Sequence, residues 1–339
     1  METNAVFIDE TTCIAGKTGH LQGIALDKKR GHIYWSFTTL LVKTDLNGTV
    51  IGSVGGLIGH LGCIAYCAER DELWGTLELK GDAVGRGISK LLKRENVSRE
   101  AFYAVVFDIE AITSKNINAE NNNIMRACYL YDVCMDYSGS GENGHPHRYG
   151  CSGIDGITFA PMITEKPNAP LRMFVAYGIY GDVNRTDNDD QVILSIDPAI
   201  AKQTAMKLRQ DRPHRIGVRC EDKLFVKTGN TNYGIQNLEY DSPTDSFFAA
   251  VYPGSKPQYP NPPMFVFPRK QDPETIVENN KRLLGGLNSY SFPLGSTGLA
   301  SLGNGEFLVS EAYRDKSRDA GKISRYKFTG KGPDGFEKI

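Results

Sequence analysis

Two carboxylic acids stand at places in the chain where the neighbouring residues are small or apolar. Asp155 opens the run Asp-Gly-Ile-Thr-Phe-Ala, and Glu239 is the fourth residue of Gln-Asn-Leu-Glu-Tyr-Asp. A carboxyl group in such surroundings has a raised pKa unless a cation pairs with it, and a proton donor requires a raised pKa. Together with a second carboxylate, such a donor hydrolyses glycosidic bonds. We predict Asp155 and Glu239 as the catalytic acid and base, in either order, with Glu78 and Glu311 as further candidates. An ion pair with Arg or Lys is the structural alternative for Glu239.

Histidines provide a second kind of chemistry. His20 and His60 each stand two residues before an equivalent β-prone run, and His147 precedes a third such run. Imidazole ligands, with Gln22 or Gln236 beside them, can hold Mn, Zn or Ca, and the ion then acidifies a C–H bond of a sugar acid. A metal-dependent lyase with a tyrosine base is therefore the alternative to the hydrolase. In the simpler interpretation these imidazoles only bond to neighbouring backbone.

Tyrosine, arginine and amide side chains are concentrated in the long segments between the β-prone runs. Tyrosine rings stack on the apolar side of a sugar ring, while amide and charged groups bond to its hydroxyls. This composition predicts a polyhydroxylated ligand of sugar size. The substrate-binding candidates are Gln22, Gln236, Arg148, Tyr149, Tyr233, Tyr259, Tyr290, Tyr313 and Arg314.

A short phrase that recurs five times determines where these residues must lie. Each copy contains a small or polar residue, a second small residue, an aliphatic residue, a fourth position that is usually small, which we call the slot, and a further residue. A turn and a second β-rich run follow each copy. The copies begin at Gln22, Gly62, Asp155, Gln236 and Thr297. The small slot is occupied by Ala25, Ala65, Thr158, Glu239 and Ala300. Such a repeat is the signature of a β-propeller, whose blades surround a central channel.

The first copy carries a family resemblance. Gly23-Ile-Ala-Leu-Asp, Gly31-His-Ile-Tyr-Trp-Ser and Leu46-Asn-Gly follow one another in this order. This segment resembles one repeat of the YWTD and NHL propeller families, which implies the fold alone, since those families serve many functions. At a propeller mouth, the histidines with a glutamine also resemble the metal site of the oligogalacturonate lyases. The two carboxylates resemble those of five-bladed glycosidases in architecture and placement only.

We expect an all-β propeller of four-stranded blades that forms a single domain over residues 1–339, with five blades favoured over six. The hairpin of Ile216–Cys220 and Lys223–Thr228 is either the outer edge of the third blade or a further blade. Residues 86–101 are a helix-compatible insertion in the second blade. Ala5–Asp9 are expected to supply the outer strand of the last blade and so close the ring. The loops that enter the inner strands are long and polar, so we expect the binding face there.

The composition of the chain limits the kinds of partner that it is expected to bind. The 339 residues carry a net charge of −1, which argues against a nucleic-acid or anionic-membrane surface. The N-terminus has no basic and apolar export signal, and seven cysteines, an odd number, fit free thiols in a reducing cytoplasm. We expect a cytoplasmic protein that binds a small oligosaccharide or sugar-like ligand and neither nucleic acid nor a membrane. A non-catalytic propeller that binds a glycan or a protein is the third alternative.

Overall fold

The strands of the protein form five sheets arranged around one axis. The computed structural model describes residues 10–95, 99–271, 274–276 and 281–339. Each sheet begins with one copy of the repeated phrase, and within the described residues this inner strand pairs only with the next strand of its own sheet. One cavity is lined by residues of all five inner strands, so these strands surround a common axis. The fold is a five-bladed β-propeller, as the repeat predicts.

The first two blades follow the predicted order. Blade 1 contains strands Leu21–Asp27, His32–Phe37, Leu40–Asp45 and Val50–Gly55, with Ile117–Asn118 added at its edge. Blade 2 contains strands His60–Cys67, Glu72–Leu79, Ala101–Phe107 and Met125–Leu130, with Met206–Lys207 and Gly217–Val218 at its edge. A helix, Ala83–Leu91, interrupts blade 2 near the predicted insertion, and it begins after Asp82, whose side chain accepts a hydrogen bond from the Gly85 backbone N–H.

The strands of blade 3 show whether the ring has five blades or six. Its strands are Cys151–Pro161, Leu171–Ile179, Asp190–Ile196, Asp222–Lys227, Lys281–Leu284 and Glu274–Ile276. The predicted run at Lys223–Thr228 is thus the fourth strand of this blade. Its predicted hairpin partner does not pair with it, because Gly217–Val218 joins blade 2 instead. The ring therefore has five blades.

The last two blades close the ring. Blade 4 contains strands Thr231–Asp241, Ser246–Pro253, Met264–Pro268 and Asn288–Tyr290. Blade 5 contains strands Leu299–Gly303, Glu306–Asp315, Arg318–Phe328 and Glu10–Gly16, with Phe336–Lys338 at its edge. The expectation that an N-terminal strand completes the last blade is confirmed by Glu10–Gly16. The particular residues predicted for it, Ala5–Asp9, lie outside the described residues.

The structure contains two further helices that the sequence did not predict. The run Ala127–Met135 reads as a strand, but the strand ends at Leu130 and the helix Tyr131–Ser138 follows. Val133 and Tyr137 are four residues apart, and both are buried against the apolar side of blades 2 and 3. This packing outweighs the strand propensity of an aromatic and β-branched segment. The other helix is Pro198–Thr204, and short 3-10 turns occur at Glu142–Gly144 and Arg148–Gly150.

The core lies between neighbouring blades, where Trp35, Trp74 and Phe248 are fully buried. Near the axis the inner strands approach each other so closely that small residues are needed. A Cβ atom on Gly23 would lie 3.0 Å from the Cα atom of Cys63 on the next blade. Among the described residues, no helix is long and apolar enough to span a membrane.

Candidate active site

Polar side chains from several blades meet at the end of the axis where the inner strands begin, which we call the proximal mouth. Gln236 Nε2 donates a hydrogen bond to Asp155 Oδ2 at 3.2 Å. His60 Nδ1 lies 3.5 Å from Asp155 Oδ1. Gln22, from blade 1, donates through Nε2 to the Thr38 hydroxyl at 3.2 Å. We name the buried set Gln22, His60, Glu78, Lys80, Asp155 and Gln236 the axial cluster.

Of the two carboxyl groups in the axial cluster, those of Glu78 and Asp155, that of Asp155 is the less ionised. Burial raises its pKa to about 7 and the Glu78 carboxylate adds to the increase, against the lowering effects of His60 and Lys80. Burial opposes protonation of His60, but Glu78 and Asp155 outweigh it, so the pKa of His60 is raised. Among the described residues, Asp155 Oδ1 and His60 Nδ1 have no hydrogen-bond partner. Both atoms are buried and lie 3.5 Å apart, and Glu78 Oε2 lies 3.6 Å from the same imidazole nitrogen.

A buried ion pair supports these two groups. Lys80 Nζ lies 2.7 Å from Glu78 Oε2 and donates to the Ser152 carbonyl at 2.7 Å. Burial alone would raise the pKa of Glu78, but Lys80 and His60 together lower it, so this carboxyl is ionised. Its other oxygen accepts a hydrogen bond from the Ile154 backbone N–H at 2.5 Å. Glu78 therefore has no free oxygen for a substrate.

The start of the inner strand of blade 3 is irregular, and this irregularity makes room for Glu78. The pairing register shifts between Cys151 and Gly153 and again between Ile154 and Ile157. Gly153 has a φ of +135°, and a Cβ atom there would lie 1.7 Å from Glu78 Oε1. Only glycine accommodates both the backbone conformation and the approach of the carboxylate. The bulge thus fixes where Asp155 projects.

The network continues outward from Lys80. Asp82 Oδ2 lies 3.6 Å from Lys80 Nζ and accepts a hydrogen bond from the Tyr180 hydroxyl at 2.9 Å. The ring of His147 packs against Tyr180 and Tyr137, and its Nδ1 lies 2.6 Å from the Tyr137 carbonyl oxygen. His147 is thus engaged outside the axial cluster.

The three histidines predicted as metal ligands are not brought together as one ligand set. His20 Nε2 lies 3.1 Å from Gln22 Nε2 at the proximal mouth, and burial and the proximity of His60 lower the pKa of His20. His147 lies further out, as described above. Among the described residues, no group of three or more His, Cys, Asp or Glu side chains is placed to hold a metal ion.

Glu239 lies at the other end of the axis, which we call the distal mouth. It is three residues beyond Gln236 on the same strand, a rise of about 10 Å. Its Oε1 accepts a hydrogen bond from the Ser301 backbone N–H at 2.8 Å, and its Oε2 faces the Thr158 hydroxyl at 3.4 Å. Burial raises its pKa to about 8. Cys63 and Asn237, 3.1 Å apart, stand between the two mouths, so the structure does not bring Glu239 and Asp155 together.

Two tyrosines border the proximal mouth. The Tyr233 side chain is 43% exposed, and its backbone carbonyl accepts a hydrogen bond from Gln236 Nε2 at 2.8 Å. The pKa of Tyr252 is raised, mainly by burial and in part by the nearby Asp155. Tyr252 was not among the candidate residues; it lies near the end of the strand Ser246–Pro253, where a long polar loop begins.

The other predicted ligand contacts are spread over the blades. Arg148 pairs with Asp136 at 3.3 Å, and Tyr149 packs against Phe225, beside a cavity of about 250 Å³ in blade 3. Tyr259 donates to Asp189 at 2.8 Å, which fixes a loop. These three residues lie away from the axial cluster and have partners within the protein.

The candidates from the last two blades have contacts of their own, and among them Arg314 Nε lies 3.7 Å from Asp319 Oδ1. Tyr290 packs edge to face on Phe328, with ring centroids 5.4 Å apart. Glu311 stands opposite Lys322 in the strand pairing. Tyr313 and Arg314 are exposed at the end of the same strand.

Lys80 and Asp82 were missed by the sequence reasoning, although the chain contains a signal for them. Glu78, Lys80 and Asp82 alternate with other residues at the end of a buried strand, so their side chains project to one side. Charged residues that alternate in this way after an apolar strand indicate a buried polar network at the strand end.

Comparison with known proteins does not identify a family for this chain. No family model matches the chain, and no curated protein matches it. The PQQ-bound aldose sugar dehydrogenase of Streptomyces coelicolor aligns over 94% of this chain and 99% of its own, at 11% identity and a TM-score of 0.38. The apo-form of the soluble aldose sugar dehydrogenase of Escherichia coli aligns over 93% and 99%, at 8% identity and a TM-score of 0.36. Identities and TM-scores this low allow neither the fold nor the function of these enzymes to be assigned to this chain. The assignment as a five-bladed propeller therefore rests on the strand pairing.

Proposed function

We propose that this protein is a carbohydrate-active enzyme that hydrolyses a glycosidic bond at the proximal mouth, with Asp155 as the proton donor. The observation that carries the proposal is a buried carboxyl with a pKa of about 7, which lies 3.5 Å from the His60 imidazole and accepts a hydrogen bond from the Gln236 amide. Such a group is protonated in a large fraction of molecules at neutral pH and can protonate a leaving oxygen. Glu239 has no part in this step, because it lies at the distal mouth.

The ligand that suits this mouth is neutral and rich in hydroxyl groups. Gln236 Nε2 donates to Asp155 and to the Tyr233 carbonyl, which leaves its Oε1 as an acceptor for a hydroxyl, and the Tyr252 hydroxyl lies near Asp155. The buried Lys80 is engaged by Glu78 and the Ser152 carbonyl. Since Lys80 is not free to neutralise the carboxylate of a sugar acid, a neutral sugar is the better match.

A second group must activate the attacking water. His20 has a lowered pKa and is therefore neutral at pH 7, as a general base must be. Asp319 acts on His20 in the opposite direction and is held by the backbone N–H groups of Thr18 and Gly19 at 2.9 and 3.0 Å. We propose His20 as the base. Its basic Nε2 accepts from the Gln22 amide at 3.1 Å, so the attacking water must replace this contact, and the Asp319 carboxylate favours the imidazolium that forms.

The test is turnover of a panel of neutral aryl glycosides and unmodified oligosaccharides by purified protein. Asp155→Asn keeps the hydrogen bond to Gln236 but has no proton to donate, so we expect kcat/KM to fall by at least about 100-fold. Glu239→Gln is the matched control, a carboxyl-to-amide change on the same axis, and should leave kcat/KM within a few-fold.

Three results would overturn the proposal. If Glu239→Gln abolished turnover and Asp155→Asn did not, the chemistry would lie at the distal mouth. Turnover of uronate-containing oligosaccharides that EDTA abolishes would identify the metal-dependent lyase. Saturable glycan binding with no turnover by the parent protein on any substrate would identify a non-catalytic binding propeller.

A further inference from the structure

The distal mouth contains a cavity that the proposed reaction does not use. Its volume is about 130 Å³, and all five blades contribute to its walls. Most of the lining side chains are aliphatic or aromatic, and Thr158, Glu239 and Ser301 are the polar exceptions among the lining residues. The cavity exists because three of the five slot residues of the repeat are alanine, Ala25, Ala65 and Ala300, and leave the space beside Glu239 unfilled.

Two blades show which backbone groups face this space. The residue after each slot is Tyr240 in blade 4 and Ser301 in blade 5. The Tyr240 N–H donates to the Thr158 hydroxyl at 3.2 Å, and the Ser301 N–H donates to Glu239 Oε1 at 2.8 Å. In each case the N–H of one blade is satisfied by the slot side chain of the preceding blade. These N–H groups therefore point away from their own sheet and toward the axis.

The remaining three blades have the same register but no such acceptor. Slot residues Ala25, Ala65 and Thr158 pair with Tyr34, Trp74 and Phe174, as Glu239 pairs with Phe248 and Ala300 with Leu308. From this shared register we infer that the N–H groups that follow these slots, those of Leu26, Tyr66 and Phe159, have the same direction as those of Tyr240 and Ser301. The slot residues of the blades that precede them are alanines, which offer no acceptor.

We propose that the distal cavity is a binding site for a small monovalent anion such as chloride or bromide. The N–H groups of Leu26, Tyr66 and Phe159 would supply the hydrogen bonds, and the Glu239 carboxyl in its protonated form would supply a further donor. A cation would need an ionised Glu239, which its burial opposes. The site is independent of the proposed reaction at the proximal mouth.

The charges around the cavity decide how binding depends on pH. Glu239 has a pKa of about 8, so anion binding and its ionisation oppose each other. Asp241 and Lys28 act on Glu239 in opposite directions, and the Cys63 thiol is neutral because burial raises its pKa. The hydroxyls of the lining residues Tyr66 and Tyr240 are bonded to Asp71 and Asp245. Glu239 and Lys28 are then the groups whose ionisation could change anion affinity between pH 6.5 and 9.5.

The experiment measures the thermal midpoint of the full-length protein as bromide replaces methanesulfonate at constant ionic strength. Bromide should raise the midpoint at pH 6.5, because it binds the folded state. At pH 9.5 only about 3% of Glu239 is protonated, so the apparent bromide affinity should fall about 30-fold. In Glu239→Gln the amide remains neutral and keeps a donor, so the affinity should be equal at both pH values. A pH dependence that persists in this variant and disappears in Lys28→Met would overturn the role of Glu239.

A second variant fills the cavity without changing charge. Ala65→Thr supplies for the Phe159 N–H the hydroxyl that Thr158 supplies for Tyr240, and it should abolish the bromide effect while the variant remains folded. Diffraction from bromide-soaked crystals should give an anomalous peak on the axis beside Glu239. A midpoint indifferent to bromide, an anomalous peak elsewhere, or stabilisation by calcium or potassium in place of bromide would each overturn the proposal.

Discussion

Two carboxyl groups of the axis, Asp155 and Glu239, both have pKa values that are raised mainly by burial, but their neighbours differ. Asp155 lies beside His60 and Glu78, so its ionisation depends on charged neighbours. Glu239 is bonded to a backbone N–H and a hydroxyl, and burial is the main cause of its raised pKa. The first arrangement suits proton transfer, and the second suits a permanently neutral acid at pH 7.

The pH dependence of turnover should report on Asp155. If this group donates the proton, kcat/KM falls as the pH rises through about 7, because the donor is lost. His60 lowers the pKa of Asp155, so His60→Gln should move this limb of the profile to higher pH by roughly one unit. A pH–rate profile of the parent and the variant measures both. An unmoved limb, or a shift to lower pH, would contradict the assignment.

Glu239→Gln should change stability in the opposite sense to most buried substitutions. The folded-state pKa of Glu239 is raised from 4.5 to about 8, so the unfolded chain releases this proton more readily, and folding stability is lost as the pH rises from 4.5 to 8. The amide avoids that loss. Because Glu239 keeps some solvent exposure, we expect a gain of about 2 kcal/mol at pH 9 and none near pH 4. Urea unfolding in halide-free buffer measures the difference, and a gain that is independent of pH would contradict it.

Among the elements, the second strand of blade 2 and the inner strand of blade 3 form the part of the fold on which the site depends most. The strand Glu72–Leu79 carries Glu78 and delivers Lys80, and both bond to the backbone of the strand Cys151–Pro161. These two bonds hold the bulge around Gly153 and thereby the direction of Asp155. The ion pair of Glu78 and Lys80 thus determines the direction in which the Asp155 side chain points.

Breaking this ion pair on one side should be costly. Lys80→Met leaves the buried Glu78 carboxylate without its cation, and we expect a loss of about 3–5 kcal/mol in the free energy of unfolding. The double variant Glu78→Gln, Lys80→Met removes both charges and should recover part of that loss. Denaturant unfolding of the parent, the two single variants and the double variant gives the coupling energy. Strictly additive effects would show that the two side chains act separately.

Prediction from the sequence succeeded for elements that repeat and failed for those that do not. The five inner strands follow from a phrase with fixed spacing. Gln22, Asp155 and Gln236 open copies of this phrase and His60 stands two residues before one, so the structure brings these four predicted residues to one end of the axis. The same register places Asp155 first and Glu239 fourth in their copies, a difference in depth of about 10 Å along the axis, so pairing them as acid and base overlooked a distance that the sequence itself contains. The helix Tyr131–Ser138 and the position of Lys80 depend on packing between blades, which no local pattern in the chain expresses.

At the scale of the whole molecule, the ring is held shut by pairing between the two ends of the chain. The strand Glu10–Gly16 forms the outer edge of blade 5 and pairs with Arg318–Phe328. Within this pair, Cys13 stands opposite Gly321 and is 2% exposed. The first described strand and the last blade therefore form one sheet, and the ring has no separable end.

Removal of residues 1–16 should open the ring. The last blade would lose its outer strand and expose an unpaired edge, so we expect a loss of several kcal/mol in unfolding free energy and concentration-dependent aggregation. Thermal unfolding and light scattering measure the two effects. Thr12→Ala, at an exposed position of the same strand, is the control and should leave both near the parent values. An equally stable, monomeric protein after the longer deletion would contradict the closure.

The pairing of Cys13 with Gly321 also concerns how the protein is made. Nearly the whole chain separates these two partners, and contacts so remote in sequence form late because a long loop must close first. On the ribosome, the N-terminal strand emerges first but has no partner until blade 5 has been synthesised. During that interval it is an exposed edge, open to pairing with other chains. The ring is thus completed only after blade 5 has been synthesised, and until then the unpaired N-terminal strand is the segment that a chaperone would have most reason to protect.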